Sequence, residues 1–268
     1  MGTGIRGMAG AAVLAASIGL MGGCINMENE LLVKRDGSGL LTQTVALSEM
    51  MMSFMGGMGE EGEDGGDTLL EGFRTKAEEQ AGRIPGGAVE SVEWLEPKKV
   101  YRVVLSFPDI NQFKGKHLMP NMNMMDGDED DDDGEGDDGG EGSKFSYANG
   151  VLIFTNESTI DQEQISKMGE IDEGVKMMLP MFGDSAITMT IRVDGAIAQT
   201  NARHVNPDRR SITIMHMPLG AFMGLAVNQP EAYREAVDTD DPVTMATALE
   251  GAVAGLKMDV QPQITIRF

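Results

Sequence analysis

One cysteine stands in 268 residues. That scarcity excludes a disulfide framework within the chain and any multi-cysteine zinc site. Histidine is nearly as rare: His117, His204 and His216 lie far apart and follow neither metal-ligand nor triad spacing. Basic clusters are missing too, and the formal net charge is −22. Binding to a phosphate backbone needs grouped Lys and Arg that displace counterions, so nucleic acid is excluded as a partner. The pairs Gly56-Gly57 and Gly86-Gly87 are not followed by the Lys-Ser/Thr of a phosphate loop. These absences point away from an enzyme. They leave no catalytic residue, no metal ligand and no cofactor to assign.

What is present is unevenly placed. The run Glu60 to Asp67 holds five acids and the run Asp126 to Glu141 holds eleven, with no Lys or Arg in either; the rest of the chain carries only −6. Such runs repel themselves and cannot bury a core, which predicts two disordered acidic inserts, at about 56–67 and 120–143. A calcium loop fits the second one poorly. Counting from Asp126, the third and fifth positions are Asp128 and Asp130, but the sixth is Asp131 instead of glycine and the twelfth is Asp137 instead of glutamate.

Methionine is abundant, at 23 residues, and clusters at Met50, Met51, Met52, Met55 and Met58, and again at Met119, Met122, Met124 and Met125. Thioethers bind Cu(I), although neither cluster contains a His or Cys; they equally furnish an adaptable apolar lining for a lipid-like ligand or a partner helix.

The single cysteine gains meaning from its surroundings. Arg6 is followed by an apolar stretch from Gly7 to Leu20 and then by LMGGC, ending at Cys24. Fourteen apolar or small residues match the core of a signal peptide and fall short of the ~20 that cross a bilayer. Gly22 and Gly23 leave room for a peptidase, and the Cys24 thiol would take a diacylglycerol, with Leu20 and Met21 as the apolar part of a lipobox. Residues 1–23 are therefore expected to be a lipoprotein signal peptide, and Cys24 the lipidated residue of a domain spanning 24–268. Myristoylation fits less well, since Arg6 occupies the position that wants Ser or Thr. Neither Ile25 nor Asn26 is the Asp associated with inner-membrane retention, which favours the outer membrane or cell surface.

Along that domain, hairpins dominate. Glu30 to Leu47 turns at Asp36-Gly37-Ser38-Gly39, and Lys144 to Thr155 turns at Asn149-Gly150. Between them, Ala88–Glu96 and Lys99–Phe107 form a second strand pair, with Val100, Val103, Leu105 and Phe107 as apolar candidates. Ala186 to Val193 alternates cleanly, with Ile187, Met189, Ile191 and Val193 on one face. It is expected to continue as a meander through Ala196–Ala202 and Arg210–Met215, past a solvated charged loop at Asp208, Arg209 and Arg210. Helices are predicted in SEMMMSFMGGMG, from Thr68 to Gly82 behind an Asp67 cap, from Asp161 to Met178, and after Asp241-Pro242, where Met245, Leu249, Val253 and Leu256 face inward. Gln263 to Phe268 closes the chain as a strand. The fold class that follows is α+β, with a mainly antiparallel sheet of hairpins and several packed helices.

The cysteine of LMGGC with a strand directly after it, the DGSG turn, and the stretch TMTIRVDGAIAQTNARHV followed by SITI resemble LppM-type bacterial envelope lipoproteins. The resemblance runs in pieces from Cys24 to Met217. It implies an α/β domain, a link to lipid binding and a role in the cell envelope, and it brings no catalytic residues. Two classes of function stay open: a membrane-anchored, non-enzymatic envelope lipoprotein that binds a lipid-like or protein partner, and a periplasmic or surface lipoprotein that handles copper or calcium.

Overall fold

The computed structural model describes residues 25–47, 65–95, 99–115, 118, 143–156, 176, 179 and 182–268. Cys24 and the signal segment, both methionine clusters, His117, the long acidic run and the helices expected at 48–59 and 161–178 lie outside the described residues, apart from single positions in the last.

Eleven strands form two sheets among the described residues. The larger contains β1 (Ile25–Val33), β2 (Gly39–Leu47), β3 (Ala88–Leu95), β4 (Val100–Phe107), β7 (Ala186–Val193), β9 (Ser211–Pro218) and β10 (Lys257–Met258), in the order β10-β9-β7-β1-β2-β4-β3. The smaller contains β5 (Lys144–Ala148), β6 (Val151–Thr155), β8 (Gln199–Thr200) and β11 (Gln263–Arg267), in the order β5-β6-β11-β8. Every described ladder is antiparallel except β1 with β7. The fold is α+β and mainly antiparallel, as the hairpin pattern predicts.

Both turn sequences do what their chemistry requires. Asn149 and Gly150 have φ of 51° and 75°, the two positive values of a tight hairpin turn. At the first hairpin Gly37 has φ of 85°, and the Asp36 carboxylate accepts from the Ser38 N–H and hydroxyl at 2.9 and 2.7 Å. Gly39 serves a different need: a Cβ there would stand 2.0 Å from the Leu32 carbonyl oxygen and 2.3 Å from Phe107 Cζ.

One face of the large sheet presents Leu31, Val33, Leu41, Val103, Leu105, Phe107, Met189, Ile191 and Val193, all buried. The small sheet covers part of it with Phe145, Leu152, Phe154, Ile264 and Ile266, and helix α1 (Gly65–Gly82) adds Ala77 and Ala81 to the same core. A run of rings, Phe107 to Phe113 to Phe145 to Phe154, crosses this core with centroids 5.1, 5.8 and 4.9 Å apart. A separate cluster unites α2 (Leu219–Asn228), α3 (Pro230–Val237) and α4 (Pro242–Ala252) around the buried Phe222, Tyr233, Met245 and Leu249. Asp241 caps α4 through the Val243 and Thr244 N–H groups, with Pro242 at the first helical position. Met245, Leu249, Val253 and Leu256 are all buried, as expected.

The structure corrects several expectations. The expected meander breaks after Gly195: Ala196–Ala202 does not return beside β7 but drops toward the second sheet, where Gln199–Thr200 pairs with β11 and the buried Ile197 joins the core between the sheets. The place beside β7 is taken by β9. Helix α1 begins at Gly65, so Asp67 lies within it rather than capping it, and the first insert ends earlier than residue 67. Ser143 belongs to the fold and not to the second insert, since it is buried and its carbonyl accepts from the Gly115 N–H at 2.6 Å. In β4 Val100, Val103, Leu105 and Phe107 are all buried, as expected, and Tyr101 joins the inward face while Val100 lies on the opposite one. Helices α2 and α3 are not foretold by the sequence pattern.

Candidate functional site

The described part of strand β1 starts at Ile25, the residue that follows Cys24. Its start is fixed firmly. Ile25 pairs with Leu47, its N–H donates to Ser185 Oγ at 3.1 Å, and the Asn26 side-chain oxygen accepts from the Ala186 N–H at 2.8 Å. Ser185 is fully buried, so this junction of β1, β2 and β7 is part of the packed structure.

The strand ends that share this edge follow from the register. Ala186 pairs with Pro218 and with Asn26, Ala46 with Asn26 and with Val100, and Val100 with Leu95. Next to the row lies a third apolar cluster built on Tyr101 and Leu47, around which Ile25, Val45, Leu70, Phe73 and Trp94 are only partly buried. The rings of Phe73 and Trp94 approach Tyr101 at 4.3 and 4.4 Å. Burial raises the Tyr101 hydroxyl above its ordinary pKa, so it stays protonated near neutrality.

The stretch TNARHV, which the sequence singles out, is placed by polar contacts and not by a ligand site. Asn201 donates to Gln261 Oε1 and the Gln263 carbonyl and accepts from the Thr265 N–H, stitching β8 to β11. Arg203 donates to the Met258 carbonyl and to Glu250 Oε2 at 2.8 Å, while its own N–H donates to the buried carboxylate of Asp259. His204 Nε2 meets Glu250 Oε1 at 2.9 Å, and the same oxygen accepts from the Met258 N–H at 2.7 Å. Glu250 of α4 is thus the shared acceptor that ties the helical cluster to the sheets. Glu250, Asp259 and Gln261 are not legible as partners of TNARHV, because each lies more than forty positions along the chain from the residue of that stretch which it holds.

Asp208, Arg209 and Arg210 are all exposed, as expected of a solvated loop, and Asp208 also holds neighbouring residues. Arg192 bridges Glu30 and Asp208, each at 2.9 Å. Burial disfavours the Arg192 charge, but the two carboxylates outweigh it and raise its pKa. Asp208 loses some solvation as well; hydrogen bonds from Arg210, Arg192 and Ser211 nonetheless hold its carboxyl below the usual range.

His216 packs on β9 with Nδ1 2.9 Å from Thr188 Oγ1. Burial first, and then the charge of Lys257, lower its pKa from 6.5. A histidine depressed in the folded state contributes stability that is complete above its unfolded value near 6.5 and is lost as pH falls toward and through the lower folded value. Thermal unfolding followed between pH 7.5 and 5 should show a falling midpoint, and His216→Gln should flatten that slope. An unchanged slope in the variant would remove His216 as its source.

No group of three or more His, Cys, Asp and Glu side chains able to hold a metal ion occurs among the described residues. No helix among them is long and apolar enough to cross a membrane. No protein-family model matches the chain, and no curated protein sequence matches it. Among solved structures, the chain is similar to the folded domain of the Mycobacterium tuberculosis LppM protein, determined by NMR, with 10% identity over 74% of this chain and 85% of that one and a TM-score of 0.26. That likeness is weak.

Proposed function

We propose that the protein is a bacterial envelope lipoprotein, cleaved before Cys24 and held through a diacylglyceryl thioether and an N-terminal acyl chain such as palmitate. Its domain acts without catalysis, by contact with a lipid-like or protein partner. The observation that carries this reading is the continuity of LMGGC with β1: the sequence that would be processed runs directly into Ile25, which is held in the sheet by Leu47 and Ser185. One acyl chain holds a protein only marginally, whereas several on one residue hold it firmly. The absence of Asp at Ile25 and Asn26 favours the outer membrane or cell surface. The aromatic rings that fill the space between the sheets favour contact at the surface over an enclosed cargo.

The test is Cys24→Ala in a bacterial host that processes lipoproteins. The native chain should partition with membranes and carry the mass of the lipid, whereas the variant should be released to the soluble fraction. A variant that stayed fully membrane-bound would overturn the reading.

A further inference from the structure

We infer that the end of the large sheet where β1 begins lies directly on the bilayer surface, so that the domain stands on the membrane in one orientation. The inference rests on the lipid anchor proposed for Cys24. Adjacent Cα atoms are about 3.8 Å apart, so a lipidated Cys24 is held one residue from Ile25. Ile25 is itself fixed by Leu47 and Ser185, which leaves no linker to let the domain swing away.

The two ends of the sheet differ in the way this placement requires. At the β1 start, Ile25, Leu70, Phe73 and Trp94 are partly buried apolar residues around Tyr101. Across the same end, Pro218 leads straight into α2, whose sequence LGAFMGLAVN has no charged residue. Only Phe222, Leu225 and Ala226 of that helix are buried; Leu219 and Met223 keep part of their surface exposed. An apolar helix that is not enclosed on all sides is costly in water and suits an interface with lipid. Lys99 and Asp184 flank the row with opposite charges. The opposite end of the sheet carries turns with Arg35, Asp36, Asp194 and Arg210, all exposed, and with the partly buried Asp109. A tryptophan beside an apolar rim fits the headgroup boundary, where tryptophan is enriched.

Trp94 is the sole tryptophan, which makes the native chain its own probe. The processed, lipidated chain beginning at Cys24 is reconstituted into phosphatidylethanolamine and phosphatidylglycerol vesicles with and without brominated acyl chains. Its mass and co-flotation are checked first. Trp94 emission should shift to the blue on reconstitution and be quenched by the brominated lipid. A Trp94→Phe, Arg210→Trp double variant, with its indole at the far end, should be quenched severalfold less. A chain that carries the lipid and floats with vesicles, yet shows no shift or quenching of Trp94, overturns the orientation and leaves the anchor standing. Equal quenching at both positions does the same. A chain without the lipid overturns the anchor, and the orientation falls with it.

Discussion

Gly39→Ala should destabilise the protein by about 3 kcal/mol or more, through overpacking that no side-chain rotation relieves. The nearest obstacle to a new methyl is the Leu32 carbonyl oxygen at 2.0 Å, a backbone atom of the neighbouring strand. Relief would require β1 and β2 to part at Val33 and Gly39, the last pair of their ladder, with Phe107 moving as well. Gly39 does not have a positive φ, so the effect belongs to close approach and not to backbone conformation. At a few degrees per kcal/mol for a chain of this size, the unfolding midpoint should fall by roughly 10 °C. Gly72 in α1 supplies the contrast: a Cβ there meets nothing within 4 Å. Gly72→Ala should be neutral or stabilise by about 0.5–1 kcal/mol, because alanine loses less entropy in a helix. Denaturant unfolding of the two variants beside the native protein decides the matter; equal effects would show that the close approach at Gly39 is absorbed by the fold.

Glu250→Ala should have the second-largest effect, about 2 kcal/mol, and its location matters more than its size. The carboxylate accepts from Arg203, His204 and the Met258 N–H, so truncation leaves three donors without that partner. Glu250 is 16% exposed and Arg203 22%, which places the pair between a screened surface bridge and a fully buried one, and the figure is discounted accordingly. Glu250→Gln keeps an oxygen for the Met258 N–H and should recover about half of the loss. Thr247→Ala, which removes only a 3.2 Å contact to Arg203 and a bond within its own helix, should matter least. Hydrogen exchange gives the distinguishing readout. In Glu250→Ala the amides of α2, α3 and α4 should lose protection before those of the large sheet, because the contact removed joins two separate apolar clusters. Uniform loss across both would contradict the role of Glu250 as the tie.

The elements that the sequence foretells are those whose signals are local. Asn149-Gly150 and the Asp36 to Gly39 turn carry their conformational demand in two to four residues, and Asp241-Pro242 opens α4 by a cap within one turn. The alternation of Ile187, Met189, Ile191 and Val193 likewise names a buried face. Alternation identifies a face but not a neighbour, and so it cannot show that the chain after Gly195 joins the smaller sheet, where its partner is the distant β11. Helix α2 escaped for another reason. With no charged residue in LGAFMGLAVN there is no polar face to set a helical period. The site was half legible. Small residues and apolar flanks make Cys24 an expectation of the sequence alone, whereas the cluster around Tyr101 unites residues from β1, β2, α1, β3 and β4 that only the sheet register brings together.

Strand β1 is an inner strand, bonded to β2 on one side and to β7 on the other. A tug on the chain at Ile25 along the strand therefore loads two ladders at once, of nine and eight residue pairs, in shear. An edge strand such as β3 could instead be peeled away one bond at a time. Mechanical resistance is thus concentrated where the domain would be tethered, and any force that drags on the domain through that tether would meet its strongest seam first.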